Sequence, residues 1–310
     1  MYNPAKPVKK GVIDLIKTTW NSPYLEVTPS IYAIFKQTHN MYEVDHTDGI
    51  GTKGNYHWKY RTFKHAVTDI LAMNLNDLAL VGARAYKLQN HIVLPADDDA
   101  AVIDIVSAMV EECVTRQIVI TGGETSIHNN AEGMDISMTV SGLIEKPFTN
   151  ACRKGDVVIG LASNGLHSNG MTKVREVLGD DLSVAITEPT LIYAERVLKA
   201  LDTCKIHGMM HITGGAYTKL KDLIQQEDIR FLRDHPLVPQ PIFHELYSKG
   251  VSDKDMYTTF NCGIGFIITV PKDEVESILK IVDGVIVGEV VSGDGMVIVP
   301  SAFSSKNIVL

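Results

Sequence analysis

Cysteine is scarce and scattered: Cys113, Cys152, Cys204 and Cys262 lie far apart, and no two form a CxxC pair. That excludes a disulfide framework and a thiolate metal cluster as organising devices, and it suits a reducing cytoplasm. Excess positive charge is missing too. The formal net charge of −8 at pH 7 leaves no basic stripe for nucleic acid, so none is expected as the main partner. No apolar run approaches the ~18 residues that span a bilayer, so no membrane association is expected. The first stretch, "MYNPAKPVKKGVIDLIKTTW", interrupts its apolar residues with Asp14 and Lys17, unlike a secretory leader.

What remains is the composition of an ordinary globular protein, 45% apolar and 21% charged over 310 residues. That length favours two domains. The pattern breaks around "EKPFTNACRKG", with Pro147, Asn150 and Gly155, which places a boundary near residue 150. Domains over 1–150 and 151–310 follow, each mixing strands and helices, for an α+β or α/β architecture. In the first, helical spacing of Val67, Ile70, Leu71, Leu75, Leu78 and Val81 predicts a helix over 64–82. "YKLQNHIVL", "IVITGGET" and "MDISMTVSGLIE" read as strands, and Asp97 or Asp98 caps a helix reaching about Arg116. In the second, "DVVIGLA" is a strand and Met171 begins a helix. "TEPTLIYAERVLKAL" reads as a helix with Thr187 as N-cap and Pro189 in its first turn. "YTTFNCGIGFIITV" is strand-rich, and "PKDEVESILKIV" is an amphipathic helix. "GVIVGEVVSGDGMVIVP" reads as two strands joined at a Gly-Asp-Gly turn.

Chemistry concentrates in a few places. "HTDGIGTKG", residues 46–54, packs glycines, an acid, a lysine and two hydroxyls after a strand. A plain turn needs one or two such residues. Glycines admit a close approach of backbone, and Asp48 with Lys53 indicates a charged ligand. On the following helix, Asp69 and Asn76 are seven residues apart and so stand about 20° apart on one face. Asp77 lies beside them, flanked by Leu75, Leu78 and Ala79. Carboxylates beside an apolar stripe are costly to bury unless paired or metal-bound, and a solvated polar face is the alternative. "TGGET" sets Glu124 after a strand and two glycines, where a simple turn is the alternative. Asp48, Asp77 and Glu124 together make a hard-oxygen set suited to Mg2+ and phosphate. In the second half, "SNGLHSNG" and "HITGG" each place a histidine and glycines before an expected helix, where backbone N–H groups bind anions. Neither has the Walker or dinucleotide-binding spacing, and each is alternatively only a helix entry.

Taken in order, "TDGIGTK", "DILAMNLNDLALVGA", "TGGET", "GLHSNG", "EPTLIY", "HITGG" and "MYTTFNCGIG" resemble the aminoimidazole ribonucleotide synthetase family, the phosphoribosylformylglycinamidine cyclo-ligases of purine biosynthesis. The resemblance implies an α/β N-terminal domain that forms a barrel-like dimer core with its twin, and an α/β C-terminal domain. It also implies ATP-dependent closure of formylglycinamidine ribonucleotide to aminoimidazole ribonucleotide, with ADP and phosphate released. The γ-phosphoryl would activate the formamide oxygen as a leaving group, and the amidine nitrogen would close the ring. The cofactors implied are ATP and Mg2+, and the assembly a homodimer whose nucleotide lies in a cleft formed by both subunits.

Residue by residue, the resemblance makes Asp48, Asp77 and Glu124 the metal carboxylates. It puts Gly49, Gly51, Thr52, Asp69, Asn76, Gly122 and Gly123 at the nucleotide, and Lys53 near phosphate in a catalytic role. His167 and His211 take catalytic roles, with Ser168, Asn169 and Gly170 on the substrate side. Thr213, Gly214, Gly215 and Asn261 complete that pocket. The chain departs from the family over 8–37, where a glycine-rich loop that closes over nucleotide is absent and Lys17 is the candidate for a lysine linked to ATP. "SIHNNAEGMD" also replaces a proline-containing segment. Thiamin-monophosphate kinase and selenophosphate synthetase share the TDG, NDL and GG-acid pattern, although the latter needs an early reactive cysteine and the first here is Cys113. A homologue that binds nucleotide with weak or no turnover is a further alternative.

Overall fold

The computed structural model describes residues 7–29, 34–145 and 147–310, with side chains from residue 10 onward. Part of the divergent segment over 8–37 therefore lies outside the described residues. The chain divides into two compact units, Met1–Leu78 with Ala83–Lys146, and Ala79–Gly82 with Pro147–Leu310.

In the first unit, α1 (Pro7–Lys17) precedes a hairpin of β1 (Leu25–Thr28) and β2 (Ile34–Gln37). Then come β3 (Tyr42–Gly49), α2 (Lys53–Tyr60), α3 (Phe63–Ala79), β4 (Arg84–Leu94), α4 (Asp99–Arg116), β5 (Val119–Ile127) and β6 (Asp135–Ile144). Four strands form one sheet in the order β3-β6-β4-β5. β4 and β5 run parallel across α4, and β6 is antiparallel to both its neighbours. α4 starts where Asp98 accepts from the Ala101 N–H, as an N-cap does. α3 is buried almost all round: Val67, Ile70 and Leu71 are in the core, and so are Asp69, Asn74 and Asn76. Asp69, Asn74 and Asn76 are therefore inside the unit, not on a solvated face.

Side chains cover the free edge of β5 at Ile120. The Thr19 hydroxyl accepts from the Ile120 N–H at 3.0 Å, and the Trp20 indole donates to the Ile120 carbonyl at 3.0 Å. Trp20, Tyr24 and Val27 then pack on Leu25, Tyr86, Val119 and Leu143, which fastens the hairpin to the sheet.

The second unit contains β7 (Val157–Ala162), α5 (Met171–Leu178), α6 (Ala194–Thr203), β8 (Gly208–His211), β9 (Glu227–Phe231), α7 (Pro241–Ser248) and α8 (Asp253–Thr259). β10 (Ile264–Val270), α9 (Val275–Val282), β11 (Val285–Ser292), β12 (Val297–Pro300) and β13 (Asn307–Val309) follow. The sheet order is β13-β12-β9-β11-β7-β10-β8. α6 and α9 cover it over a core of Ile159, Val197, Phe266, Ile268 and Ile278.

Several local expectations change here. The expected helix over "TEPTLIYAERVLKAL" begins only at Ala194. Glu188, ahead of Pro189, takes φ −54 and ψ 126, the extended state that a following proline imposes. The expected hairpin over 285–300 is not one, because β9 lies between β11 and β12 and pairs parallel with β12. Asp228 of β9 organises that crossing, accepting from the Asp294 and Met296 N–H groups at 2.9 and 3.0 Å. "MYTT" is helical within α8. The "HITGG" loop leads into a 3-10 helix, Ala216–Leu223, rather than an α-helix.

Candidate active site

β3 ends in the opening loop, and α3 packs beneath that strand's end. His46 and Asp48 are two residues apart on β3 and so point to the same face. There they meet Asp77 of α3: one ligand atom from each of His46, Asp48 and Asp77 lies within 4.8 Å of the others. Asp48 is half-buried, with one oxygen taking the Gly49 N–H at 2.7 Å. His46 Nε2 stands 3.5 Å from Asp77 Oδ2. The hydrogen bond to Asp77 raises the pKa of His46, against a lowering by burial. Two neighbouring carboxylates and an imidazole, all partly shielded from water, are donors of the kind that could hold a divalent cation.

Glu124 does not join them. β3 and β5 are opposite edges of the sheet, separated by three strand spacings, or about 14 Å. Gly49, Ser137, His91 and Glu124 form one cross-strand row, whereas Asp48 sits in the next row with Met138, Asn90 and Gly123. Adjacent rows face opposite ways, so Glu124 leaves the other side of the sheet. Of the expected set Asp48, Asp77 and Glu124, one chain brings together Asp48 and Asp77, with His46 beside them and Glu124 apart. The sequence gives no sign that His46 lies beside these acids beyond its i, i+2 spacing from Asp48.

Lys53 and Asp69 differ from expectation as well. Both side chains are fully buried, and the Lys53 ammonium lies 2.8 and 3.0 Å from the two Asp69 oxygens. His57 Nε2 donates to Asp69 at 2.9 Å, and its Nδ1 meets the Thr62 hydroxyl at 2.8 Å. Burial opposes ionisation of Asp69, but the Lys53 charge and the His57 hydrogen bond hold its carboxyl well below the usual range. This triad joins α2 to α3, and neither Lys53 nor Asp69 is exposed to a ligand. Asn76 is likewise buried on α3. Gly51 adopts φ +56 and is exposed, followed by Thr52 ahead of α2. Gly122 and Gly123 lie on β5, where a Cβ at Gly123 would strike the Asn90 side chain at 2.7 Å.

In the second unit the two glycine-rich loops are neighbours: a Cβ on Gly214 would sit 3.5 Å from Asn169 Oδ1. Asn169 donates to the Thr259 carbonyl, and Ser168 pairs with the Thr190 hydroxyl at 3.0 Å. Gly170 needs its φ of +73 and its missing side chain, since a Cβ would collide with the Phe260 ring at 2.4 Å. Gly214 and Gly215 are exposed. Thr213 accepts from Lys219 Nζ at 2.7 Å, a cation beside the loop that the sequence reading did not single out. Asn261 is committed to shaping the first loop: Oδ1 accepts from the Ser163 hydroxyl and the Gly263 N–H, and Nδ2 donates to the Gly165 carbonyl. His167 and His211, expected at the chemistry, are 2% and 0% exposed. They pack with Tyr193 and Phe266, with His211 stacked on Phe266 at 6.1 Å between ring centroids. Their rings are packed among aromatic side chains and not presented to an open surface.

This pairing of an acid-bearing α/β unit with a second unit carrying glycine loops has known relatives. Residues 31–144 match the family described as AIR synthase related protein, N-terminal domain, and residues 153–300 match its C-terminal domain. The chain belongs to the AIR synthase-related family. Phosphoribosylformylglycinamidine cyclo-ligase of Saccharolobus solfataricus is 34% identical over 265 residues, 82% of this chain and 80% of the relative. The enzyme of the same name from Thermococcus kodakarensis is 33% identical over 267 residues, 81% and 79% of the two chains. Hydrogenase maturation protein HypE, solved in complex with ATP, superposes with a TM-score of 0.73 over 99% of this chain and 95% of its own, at 18% identity. Thiamine-monophosphate kinase from Stenotrophomonas maltophilia K279a superposes at 0.66 over 94% and 96%, at 16% identity. At such identities these two structures speak to the fold alone.

Proposed function

We propose that the chain is an ATP-dependent cyclo-ligase that converts formylglycinamidine ribonucleotide to aminoimidazole ribonucleotide, releasing ADP and phosphate. The supporting observation is the meeting of Asp48 and Asp77 at the end of β3, within a chain whose curated relatives carry the cyclo-ligase name over about four-fifths of their length. The donors fit a divalent cation such as Mg2+, because two adjacent carboxylates repel each other unless a cation is shared between them. Bound there, the ion would neutralise charge on the transferring phosphoryl group.

The chain's own residues hold and orient. Asp48 is fixed by the Gly49 N–H, and Asp77 is held on α3 among the buried Asn76, Leu78 and Ala79. In the second unit the Asn261 hydrogen bonds hold the 163–170 loop beside the exposed Gly214 and Gly215. Backbone N–H groups there, with Lys219, suit the ribonucleotide's phosphate. The transferred phosphoryl bonds to the formyl oxygen, and the amidine nitrogen then attacks that carbon. Phosphate departs with the former formyl oxygen, and a nitrogen-bound proton is lost as the ring closes. A homodimer in the cytoplasm is the assembly and compartment we assign. No described helix is long and apolar enough to cross a membrane.

Steady-state release of ADP with formylglycinamidine ribonucleotide, and none with thiamin monophosphate, is the expected result. ADP release only with thiamin monophosphate would move the chain to the kinase reading. ATP binding without turnover on either substrate would make it a nucleotide-binding homologue.

A further inference from the structure

We propose that His46 is a direct nitrogen ligand of the cation held by Asp48 and Asp77, which makes the site selective for Mn2+-like ions over Mg2+. The inference rests on the reading of these two carboxylates as cation ligands and adds a third donor to it. His46 has the orientation of a ligand. Its Nδ1 lies 3.0 Å from Asn74 Oδ1, and the tautomer at that contact follows from Asn74 itself. The Asn74 amide nitrogen donates to the Ile70 carbonyl at 2.9 Å, so Oδ1 is the end left to accept. His46 Nδ1 must therefore carry the hydrogen. In the neutral ring that puts the lone pair on Nε2, the atom nearest Asp77. Metal-bound histidines are typically held this way, with the second ring nitrogen donating to a fixed acceptor outside the ligand set. Asn74 is fully buried, so the acceptor is rigid.

The spacing also suits a shared ion. Two donors about 2.1 Å from one ion stand 3.5 Å apart when they subtend roughly 110°, and His46 Nε2 and Asp77 Oδ2 are separated by 3.5 Å. Imidazole is a poor partner for Mg2+, which favours all-oxygen shells, and a good one for later first-row ions. One nitrogen beside two carboxylates therefore tilts selection toward Mn2+, Co2+ or Zn2+ while still admitting Mg2+. The competing account is an ordinary ion pair between protonated His46 and Asp77, which would place no nitrogen on the metal.

The two accounts separate in the intact ATP-free protein, with Mn2+ as the probe. Pulsed electron paramagnetic resonance of bound Mn2+ should reveal one coupled histidine nitrogen. His46→Ala should erase that coupling and weaken Mn2+ binding by about tenfold or more, while calorimetric Mg2+ affinity changes by less than about threefold. Asp77→Asn should abolish binding of both ions. If Mn2+ binding depends on Asp77 but shows no nitrogen coupling, the inference about His46 is overturned and the carboxylate site stands. If Asp77→Asn leaves the binding of both ions unchanged, the cation reading of the carboxylates fails, and the inference fails with it.

Discussion

Asp48 and Glu124 occupy opposite edge strands of one four-stranded sheet and project from its opposite faces. If Glu124 serves the same nucleotide as Asp77, it does so from a second copy of the chain. Asp77→Asn and Glu124→Gln should then each be nearly inactive alone. Mixed and reassociated, they should regain about a quarter of wild-type ADP release, since about half the dimers are mixed and each keeps one intact site. Full activity of Glu124→Gln by itself would remove the residue from the site.

The Lys53–Asp69–His57 triad should matter for stability rather than for phosphate. Removing one member of a buried ion pair typically costs about 3–5 kcal/mol, because the remaining charge stays inside uncompensated. Lys53→Met should therefore lower the urea midpoint steeply. Any protein that remains folded should bind Mg·ATP with an affinity within a few-fold of wild type. A large loss of nucleotide affinity in a variant of unchanged stability would return Lys53 to the ligand.

Acid should weaken the fold in two stages. Burial lowers the His57 pKa from 6.5, only partly countered by Asp69, so the unfolded chain takes up that proton first. The His57 contribution is complete above 6.5 and is lost as pH falls from there toward the lower folded value. Asp69 is also depressed, from 3.8, so its contribution holds above 3.8 and is lost as pH falls through its folded pKa. Urea unfolding across pH about 8 to 5 should show a decline that His57→Gln flattens. An unaltered slope in that variant would assign the decline to other groups.

Asn261 gives a test of the second unit. Asn261→Leu strips partners from the Ser163 hydroxyl, the Gly263 N–H and the Gly165 carbonyl, each costing about 1–3 kcal/mol if left buried and unpaired. The melting temperature should fall. KM for the ribonucleotide should rise while that for ATP stays within a few-fold. Equal rises in both would mean that the loop does not distinguish the two ligands.

The parts of this architecture that were legible in the sequence are the parts decided locally. Asp98 at the head of α4 and the apolar spacing of α3 act within a turn or two of chain, and both appear where expected, except that α3 stops at Ala79 and leaves Val81 exposed beyond it. Errors arose where distant residues decide. The strands flanking Gly293-Asp294-Gly295 look like a hairpin until Asp228, far earlier in the chain, takes the turn's N–H groups. Lys53 reads as a phosphate ligand because its neighbours are glycines, but its partner is Asp69, one helix further on. His46 carried no signal of its own, since its orientation depends on Asn74 across the strand–helix contact.

The answering of Ile120 by Thr19 and Trp20 spans 101 and 100 positions of chain. During synthesis the guard is made first: residues 19 and 20 leave the ribosome well before β5 exists. When β5 emerges, the groups that will occupy its outer margin are already waiting, so the strand need not linger with open hydrogen-bonding sites. Take the guard away and the margin becomes a template on which any neighbouring extended chain can lay itself. Thr19 and Trp20 thereby keep this stretch of the margin from pairing with a stray extended chain.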